Sequence, residues 1–261
     1  MDCAFCFRNR DRKDLDLSSA FKVIDKLYSM GVKKLTFAGG EPLLIDFLPE
    51  LLKKTQQYKM QASITTNGIL LEEQWYKIVP YCDWITFSLD ATTSELQALQ
   101  GRDALHFERV LRLIEKISKT AVKIKINTLI TKKNCGNIIE LAALIKTLPI
   151  KRWKVIRFYP VRGSAKINAL LFNISDEEFL NIEKSLKSYF FNTTVKLDVV
   201  NHDELEKEYF SIYCDGTVRF SSNNNDHESF NIITLENEEL DWSDERFDAK
   251  QHITKRRWLI E

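Results

Sequence analysis

No stretch of this chain approaches the roughly 20 consecutive apolar residues that a membrane span requires, so a membrane protein is not expected. The N-terminus, Met1-Asp2-Cys3-Ala4-Phe5-Cys6-Phe7-Arg8, lacks the apolar core of a secretory signal. The cytoplasm is therefore the expected compartment. Neither sign of charge prevails: 38 basic and 37 acidic residues give a formal net charge of +1. Such balance predicts no nucleic-acid partner, while leaving room for a local basic cluster. Cysteine is sparse as well, with five scattered residues, Cys3, Cys6, Cys82, Cys135 and Cys214. An odd count without an export signal argues against a disulfide framework. Cys82, Cys135 and Cys214 read as small buried apolar residues. A second Cys-x-x-Cys or a His pair is missing too, so Cys3 and Cys6 lack the second pair that a four-ligand zinc site usually has.

What is present is an ordinary globular composition, 44% hydrophobic and 29% charged over 261 residues. That length is long for one domain but usual for an α/β barrel. Two periodicities alternate. Ser18 or Ser19 can cap a helix with Phe21, Ile24, Leu27 and Tyr28 on one stripe, stopped at Gly31. The run Lys34 to Phe37 then ends in Gly39-Gly40. Asp46 can cap the next helix, Ala62 to Thr65 reads as a strand stopped at Asn67-Gly68, and Leu71 to Val79 reads as helical. Strands at Trp84–Leu89, Val122–Ile130 and Trp153–Phe158 alternate with helices over Phe107–Ile117 and 138–147. Five strands alternating with helices indicate βαβ units and a parallel sheet. A doubly wound sheet and an open or closed α/β barrel both satisfy the pattern.

Beyond Pro160 the regularity stops. Arg162-Gly163-Ser164 reads as a loop, Ser175 to Glu178 as a capping box, Val195 to Val199 as a strand, and Asp215-Gly216 as a hairpin turn. Residues 1–160 are thus expected to form the core, with residues 161–261 an α+β elaboration packed on it and covering the substrate site.

Ligands bind at the carboxyl ends of parallel strands, and unusual polar residues gather there. They are Gly39-Gly40-Glu41-Pro42, Thr66-Asn67-Gly68, Ser88 with Asp90, Asn127 with Lys125, and Lys154 with Arg157. Each alone is ordinary turn or cap chemistry; the repetition at one end of successive strands points to a site. Cys3 and Cys6 by themselves fit zinc, a redox pair or an iron–sulfur ligand set.

Cys3-Ala4-Phe5-Cys6-Phe7, with Phe37-Ala38-Gly39-Gly40-Glu41-Pro42-Leu43 about thirty residues on, resembles the radical S-adenosylmethionine (SAM) superfamily. Its cluster motif is Cys-x-x-x-Cys-x-x-Cys with an aromatic residue before the last cysteine. Cys3 and Cys6 match the second and third ligands, and Phe5 the aromatic. The first cysteine would fall two residues before Met1, so the chain is expected to begin just past it, without the strand that precedes the motif; a two-cysteine inactive protein is the alternative. The resemblance implies a partial (β/α)6 barrel lacking its first strand, a [4Fe–4S] cluster and SAM. It further implies that Gly39, Gly40, Glu41 and Pro42 bind the methionyl amine, and that Asn67, Ser88, Asp90 and Asn127 surround the ribose and carboxylate. An electron donor such as flavodoxin or ferredoxin reduces the cluster, and the 5′-deoxyadenosyl radical from SAM removes a substrate hydrogen.

Within the superfamily, Lys125-Ile126-Asn127-Thr128-Leu129-Ile130 and Arg152-Trp153-Lys154-Val155 resemble the Lys-Ile-Asn-Ser-Val-Ile and Arg-Trp-Lys-Val of the viperin-like nucleotide dehydratases. This implies a nucleoside triphosphate met by Lys125, Arg152 and Lys154, a dehydrated product, and a catalytic place for Tyr209. Two rivals stand beside it. One is a peptide-modifying radical SAM enzyme, since Asp215-Gly216-Thr217-Val218 resembles the hairpin opening auxiliary-cluster domains, although Cys214 is the lone cysteine there. The other is a cluster-less SAM- or nucleotide-binding protein.

Overall fold

The computed structural model describes residues 3–6, 13–160, 163–201, 210–220 and 228–234. Helices and strands alternate as α1 (Leu17–Ser29), β1 (Lys34–Phe37), α2 (Leu48–Gln57), β2 (Gln61–Thr66), α3 (Trp75–Ile78), β3 (Trp84–Ser88), α4 (Ser94–Leu99), α5 (His106–Ser118), β4 (Lys123–Ile130), α6 (Ile138–Thr147) and β5 (Arg152–Arg157). Three helices, α7 (Gly163–Ile167), α8 (Ala169–Phe172) and α9 (Asp176–Tyr189), lead to β6 (Lys196–Val200).

All six strands pair in parallel and in chain order, β1-β2-β3-β4-β5-β6. A doubly wound sheet reverses direction around its first strand, whereas a barrel wall adds each strand to the last. The architecture is therefore an open α/β barrel wall. Right-handed crossovers in this order stack the helices on one face. The strand pattern agrees: Ile124 and Ile126 of β4, Trp153 and Val155 of β5, and Ile85 and Phe87 of β3 lie in the main core. Their alternating neighbours line the other, concave face.

Several local expectations are corrected. Asp16, not Ser18 or Ser19, caps α1, its Oδ1 accepting from Ser19 N at 2.7 Å. Phe47 rather than Asp46 precedes α2, without a side-chain cap, because Pro49 in the first turn sets the start. The helix expected over 71–79 shrinks to α3; the chain is still turning after Gly68, held at φ +79°. Gly163 and Ser164 begin a short helix instead of a loop. Cys82 is buried as expected, but Cys135 is half-buried and Cys214 exposed ahead of the hairpin turn. The strand placed in the elaboration, β6, is the sixth strand of the main sheet, with Arg152 opposite Lys196 and Lys154 opposite Asp198. The Ser175 capping box forms as read.

A second, antiparallel sheet comprises β7 (Phe210–Ile212), β8 (Thr217–Phe220) and β9 (Glu228–Asn231). Its hairpin turns at Gly216, φ +84°, as expected from Asp215-Gly216. Val218 and Ile232 pack on Val23 and Leu27 of α1. Among the described residues no helix is long and apolar enough to cross a membrane.

Candidate cofactor and substrate site

Because the strands are parallel, the polar strand ends singled out above emerge along one edge. Glu41 ties two of them together. Its Oε1 accepts from Thr66 Oγ1 at 2.7 Å and from Leu43 N at 3.2 Å, while Oε2 accepts from Asn67 N at 2.8 Å. The carboxylate thus holds the turn Pro42–Leu44 and the end of β2, leaving the Gly39-Gly40 backbone exposed. Gly39 sits at φ +118°, where no other residue is comfortable. Asn67 Oδ1 accepts from Ile69 N at 2.8 Å and fixes the turn after β2. Ser88, at the end of β3, faces the concavity in register with Asn127.

Asp90 is turned inward. Its Oδ2 receives Arg102 Nε at 3.0 Å and Nη2 at 2.7 Å, and its Oδ1 receives Leu129 N at 2.8 Å. Asn127 Oδ1 is shut off from solvent and has no hydrogen-bond donor among the described residues. A buried acceptor in that state costs about 1–3 kcal/mol, which suits a site whose ligand brings the donor. SAM carries ammonium and hydroxyl donors, so these residues fit it.

Cys3 and Cys6 form a turn closed by Cys6 N donating to Cys3 O at 3.0 Å. The segment after β5 walls this loop: Ala165 N donates to Cys6 O at 3.3 Å and Asn168 Nδ2 to Ala4 O at 2.9 Å. Phe5 lies edge-on to Phe172, with ring centroids 5.9 Å apart. The Arg102 guanidinium stands 5.3 Å from the Phe5 ring. Gly101 presses so close that an added Cβ would lie 3.2 Å from Cys3 Cα. Burial pushes the Cys3 thiol up, and Arg102 opposes this. Among the described residues no group of three His, Cys, Asp or Glu could hold a metal. The pair fits two thiolate positions of a three-cysteine cluster motif.

Below the strand ends the concave face is basic. Strand register defines three rows. Ser88, Asn127, Lys154 and Asp198 form the first, nearest the strand ends. Thr65, Thr86, Lys125, Arg152 and Lys196 form the second. Thr36, Ser63, Trp84 and Lys123 form the third. The expected sharing of one face by Lys125, Asn127, Arg152 and Lys154 is what the register gives. Arg152 is 4% exposed and Lys154 7%, and Arg152 is ion-paired with Asp198. Burial drives the Lys125 ammonium well below its usual value, and the charges of Lys154, Arg152 and Lys34 add to this against Asp198.

Lys34, at the start of β1, is lowered from 10.5 to about 8, first by burial and then by Arg152 and Lys123, with Asp83 opposing. β1 and β5 would be about 19 Å apart in a flat sheet, beyond a Debye length. That Lys34 feels Arg152 reflects the curvature of the wall. A lysine lowered in the folded state destabilises the fold fully below about pH 8, and the cost is relieved as pH rises toward 10.5. Between pH 7.5 and 9, the stability of the wild type relative to Lys34→Met should therefore increase, by thermal unfolding in matched buffers. Cys82 and Cys214, held up to about 12 and about 11, act oppositely above 9.0 in both proteins and cancel in the difference.

Residues 1–145 match the family model described as the Radical SAM superfamily. The chain belongs to the radical SAM superfamily. Several relatives carry the name S-adenosylmethionine-dependent nucleotide dehydratase, two of them at 33% identity. That of Lacinutrix mariniflava is 33% identical over 240 residues, covering 85% of this radical SAM chain and 48% of the relative. That of Flammeovirga pacifica is 33% identical over 217 residues, covering 77% and 73%. This radical SAM chain thus spans about half the length of the first. Among solved structures, Streptococcus suis SuiB bound to S-adenosylmethionine superposes with a TM-score of 0.72 at 19% identity, covering 99% of this chain and 65% of that one. Superfamily members use a [4Fe–4S] cluster and SAM.

Of the residues expected from sequence, Cys3, Phe5 and Cys6 gather in one loop. Gly39, Gly40, Glu41, Pro42, Asn67, Ser88 and Asn127 share the strand-end edge, Lys154 stands level with Asn127, and Lys125 and Arg152 lie one row beneath. Asp90 is spent on Arg102 and Leu129 N. Tyr209 lies outside the described residues. Sequence reading missed Arg102, Lys34, Trp84 and Lys123. Lys123 was within reach, two residues from Lys125 and so on the same face.

Proposed function

We propose that this chain binds a nucleoside triphosphate on its concave face and dehydrates it by radical SAM chemistry. The observation that carries the reading is the register pairing of Lys125 with Arg152 and of Asn127 with Lys154 on that face. It is supported by the dehydratase names of the relatives. When bound, the cluster and SAM supply a one-electron cleavage, and with it a hydrogen-abstracting radical, toward a nucleotide that loses water overall. Cys3 and Cys6 would hold two irons, and the Gly39-Gly40 backbone, Asn67, Ser88 and Asn127 would hold SAM. Glu41 acts on that site by fixing the strand ends, and Asp90 by fixing Arg102. Lys125, Arg152 and Lys154 would clamp phosphate oxygens through charge-assisted hydrogen bonds, which hangs the ribose toward the strand ends. The electron would come from a flavodoxin or ferredoxin.

The test is 5′-deoxyadenosine formation by anaerobically reconstituted protein, with and without each of ATP, CTP, GTP and UTP. At least one should stimulate it and yield a product lighter by one water. Lys125→Ala and Arg152→Ala should each weaken that nucleotide about 10- to 100-fold while sparing uncoupled SAM cleavage. No stimulation by any of the four in cluster-loaded protein would rule the reading out.

A further inference from the structure

The carbonyl of Ser88 is the last of β3, and its donor comes from a distant part of the chain. β2 pairs with β3 only as far as Thr66 opposite Phe87, so Ser88 lies one residue past that pairing. Leu89 N donates to Asn127 O at 3.0 Å on the β4 side, which turns the preceding carbonyl, that of Ser88, toward the β2 side and beyond the end of β2. A buried carbonyl in such a place needs a donor. His106, the first residue of α5, supplies it, with Nε2 standing 2.8 Å from Ser88 O. A carbonyl oxygen can only accept, so Nε2 carries the hydrogen and Nδ1 keeps its lone pair. His106 is 0% exposed, and its Nδ1 has no hydrogen-bond partner among the described residues.

The helix behind the ring is firmly anchored. Val110, Leu113, Ile114 and Ile117 of α5 lie in the main core. The turn into α5 is braced as well. His106 N donates to Asp103 O at 3.1 Å and Leu105 N to Asp103 Oδ1 at 3.1 Å. Arg109 grips the same carboxylate with Nη1 at 3.1 Å and Nη2 at 2.6 Å. The charged groups facing the ring are Arg102 and Asp103 of that turn and Asp90 after β3. Burial first, and then the Arg102 charge, hold the ring below its usual value of 6.5, against the Ser88 hydrogen bond, Asp90 and Asp103. A proton on Nδ1 would add a buried donor and a second positive charge beside the Arg102 guanidinium.

We propose that His106 is a positioning residue for SAM: as a neutral Nε2–H donor it fixes the Ser88 carbonyl and thereby sets the Ser88 side chain against the cofactor. The inference rests on the placing of Ser88 in the SAM site above. Ser88 and Asn127 are register partners in the row nearest the strand ends. The stretch from Ser88 to Asp90 is held by His106 at the Ser88 carbonyl, by Asn127 O at Leu89 N, and by Arg102 at the Asp90 carboxylate. Without the imidazole the first of these holds is lost, and the peptide plane after Ser88 is free to rotate. A binding residue must be kept within about 0.5 Å of its productive place by the groups behind it. His106 carries that constraint from the core-packed α5 to the strand end.

The experiment makes two measurements on the full chain. Nitrogen-15 NMR of the histidine rings reads the tautomer, with the His106 signals assigned by their loss in His106→Gln. At pH 6.5, where an unperturbed histidine is half protonated, His106 should be neutral with its hydrogen on Nε2. SAM binding to anaerobically reconstituted protein is then measured by equilibrium dialysis. His106→Leu should weaken SAM about 3- to 10-fold. His106→Gln, whose amide can donate from the same place, should keep most of the affinity. In a Ser88→Ala background the further loss from His106→Leu should vanish, because one residue acts through the other. A merely structural role would add its loss to that of Ser88→Ala. The ring tautomer and His106→Gln carry the test if His106→Leu does not fold. A charged ring at pH 6.5, a hydrogen on Nδ1, weakened SAM binding by His106→Gln, wild-type affinity in His106→Leu, or additive losses would each overturn the inference and leave the SAM site standing. Unchanged SAM affinity in Ser88→Ala removes Ser88 from that site and the inference with it.

Discussion

Arg102→Ala is expected to cost the fold about 3–5 kcal/mol, the range for removing one partner of a buried ion pair. The Asp90 side chain is 1% exposed and the Arg102 side chain 11%. The guanidinium gives Asp90 Oδ2 two donors, and without it the carboxylate keeps, among the described residues, Leu129 N on its other oxygen. Denaturant unfolding of the single variants and of the Asp90→Ala/Arg102→Ala double variant measures the pair. The double variant should be far less destabilised than the sum of the singles, because no charge is left stranded. Arg102→Lys should recover only part of the loss, since an ammonium cannot reproduce the fork. The effect extends to the cysteine loop: Arg102 offsets the burial that raises the Cys3 thiol. Iron and sulfide retained per chain after anaerobic reconstitution should fall in Arg102→Ala. A stability loss under about 1 kcal/mol would mean that solvent reaches the pair.

Trp153→Ala should be comparably severe for a different reason. The side chain is 0% exposed within the main core. Its Nε1 donates to Thr128 Oγ1 at 2.8 Å, and its ring sits 5.1 Å from that of Phe190. Truncating such a residue costs about 3–5 kcal/mol, which lowers the melting temperature by about 2–4 °C per kcal/mol in a chain this long. Trp153→Phe keeps most of the volume, loses the hydrogen bond, and should cost about 1 kcal/mol. Because Trp153 and Lys154 face opposite sides of β5, Trp153→Phe should keep its nucleotide affinity. A Trp153→Phe protein as stable as wild type but deficient in nucleotide binding would place the ring on the wrong side of the sheet.

That opposition shows what could be read in advance. In Arg152-Trp153-Lys154-Val155 the alternation of a strand assigns the cations to one face and the apolar residues to the other, and β5 obeys it. Strand positions were legible because their apolar runs stop at Gly39-Gly40 and Asn67-Gly68, which break the pattern locally. Arg102 was not legible. Its partner Asp90 is twelve residues away across α4, a helix too short to leave a clear period. Lys34 and Trp84 escaped notice for a reason of scale: on a flat sheet they are ordinary strand openers, and only the curved wall turns them toward the cations of β4 and β5. The role of α7 and α8 was hidden because nothing in Gly163 to Phe172 indicates what those helices cover.

Those helices also bear on the order of events during synthesis. The carbonyl of Ala4 meets its donor, Asn168, only 164 residues later in the chain. At about 5–20 residues per second, Cys3 and Cys6 leave the ribosome roughly 10–30 s before the wall that shapes their loop exists. Through that interval the two thiols belong to a loose nascent segment, open to oxidants and to stray metal ions. A loop held by Ala165 and Asn168 reaches its final geometry only after α7 and α8 have been made.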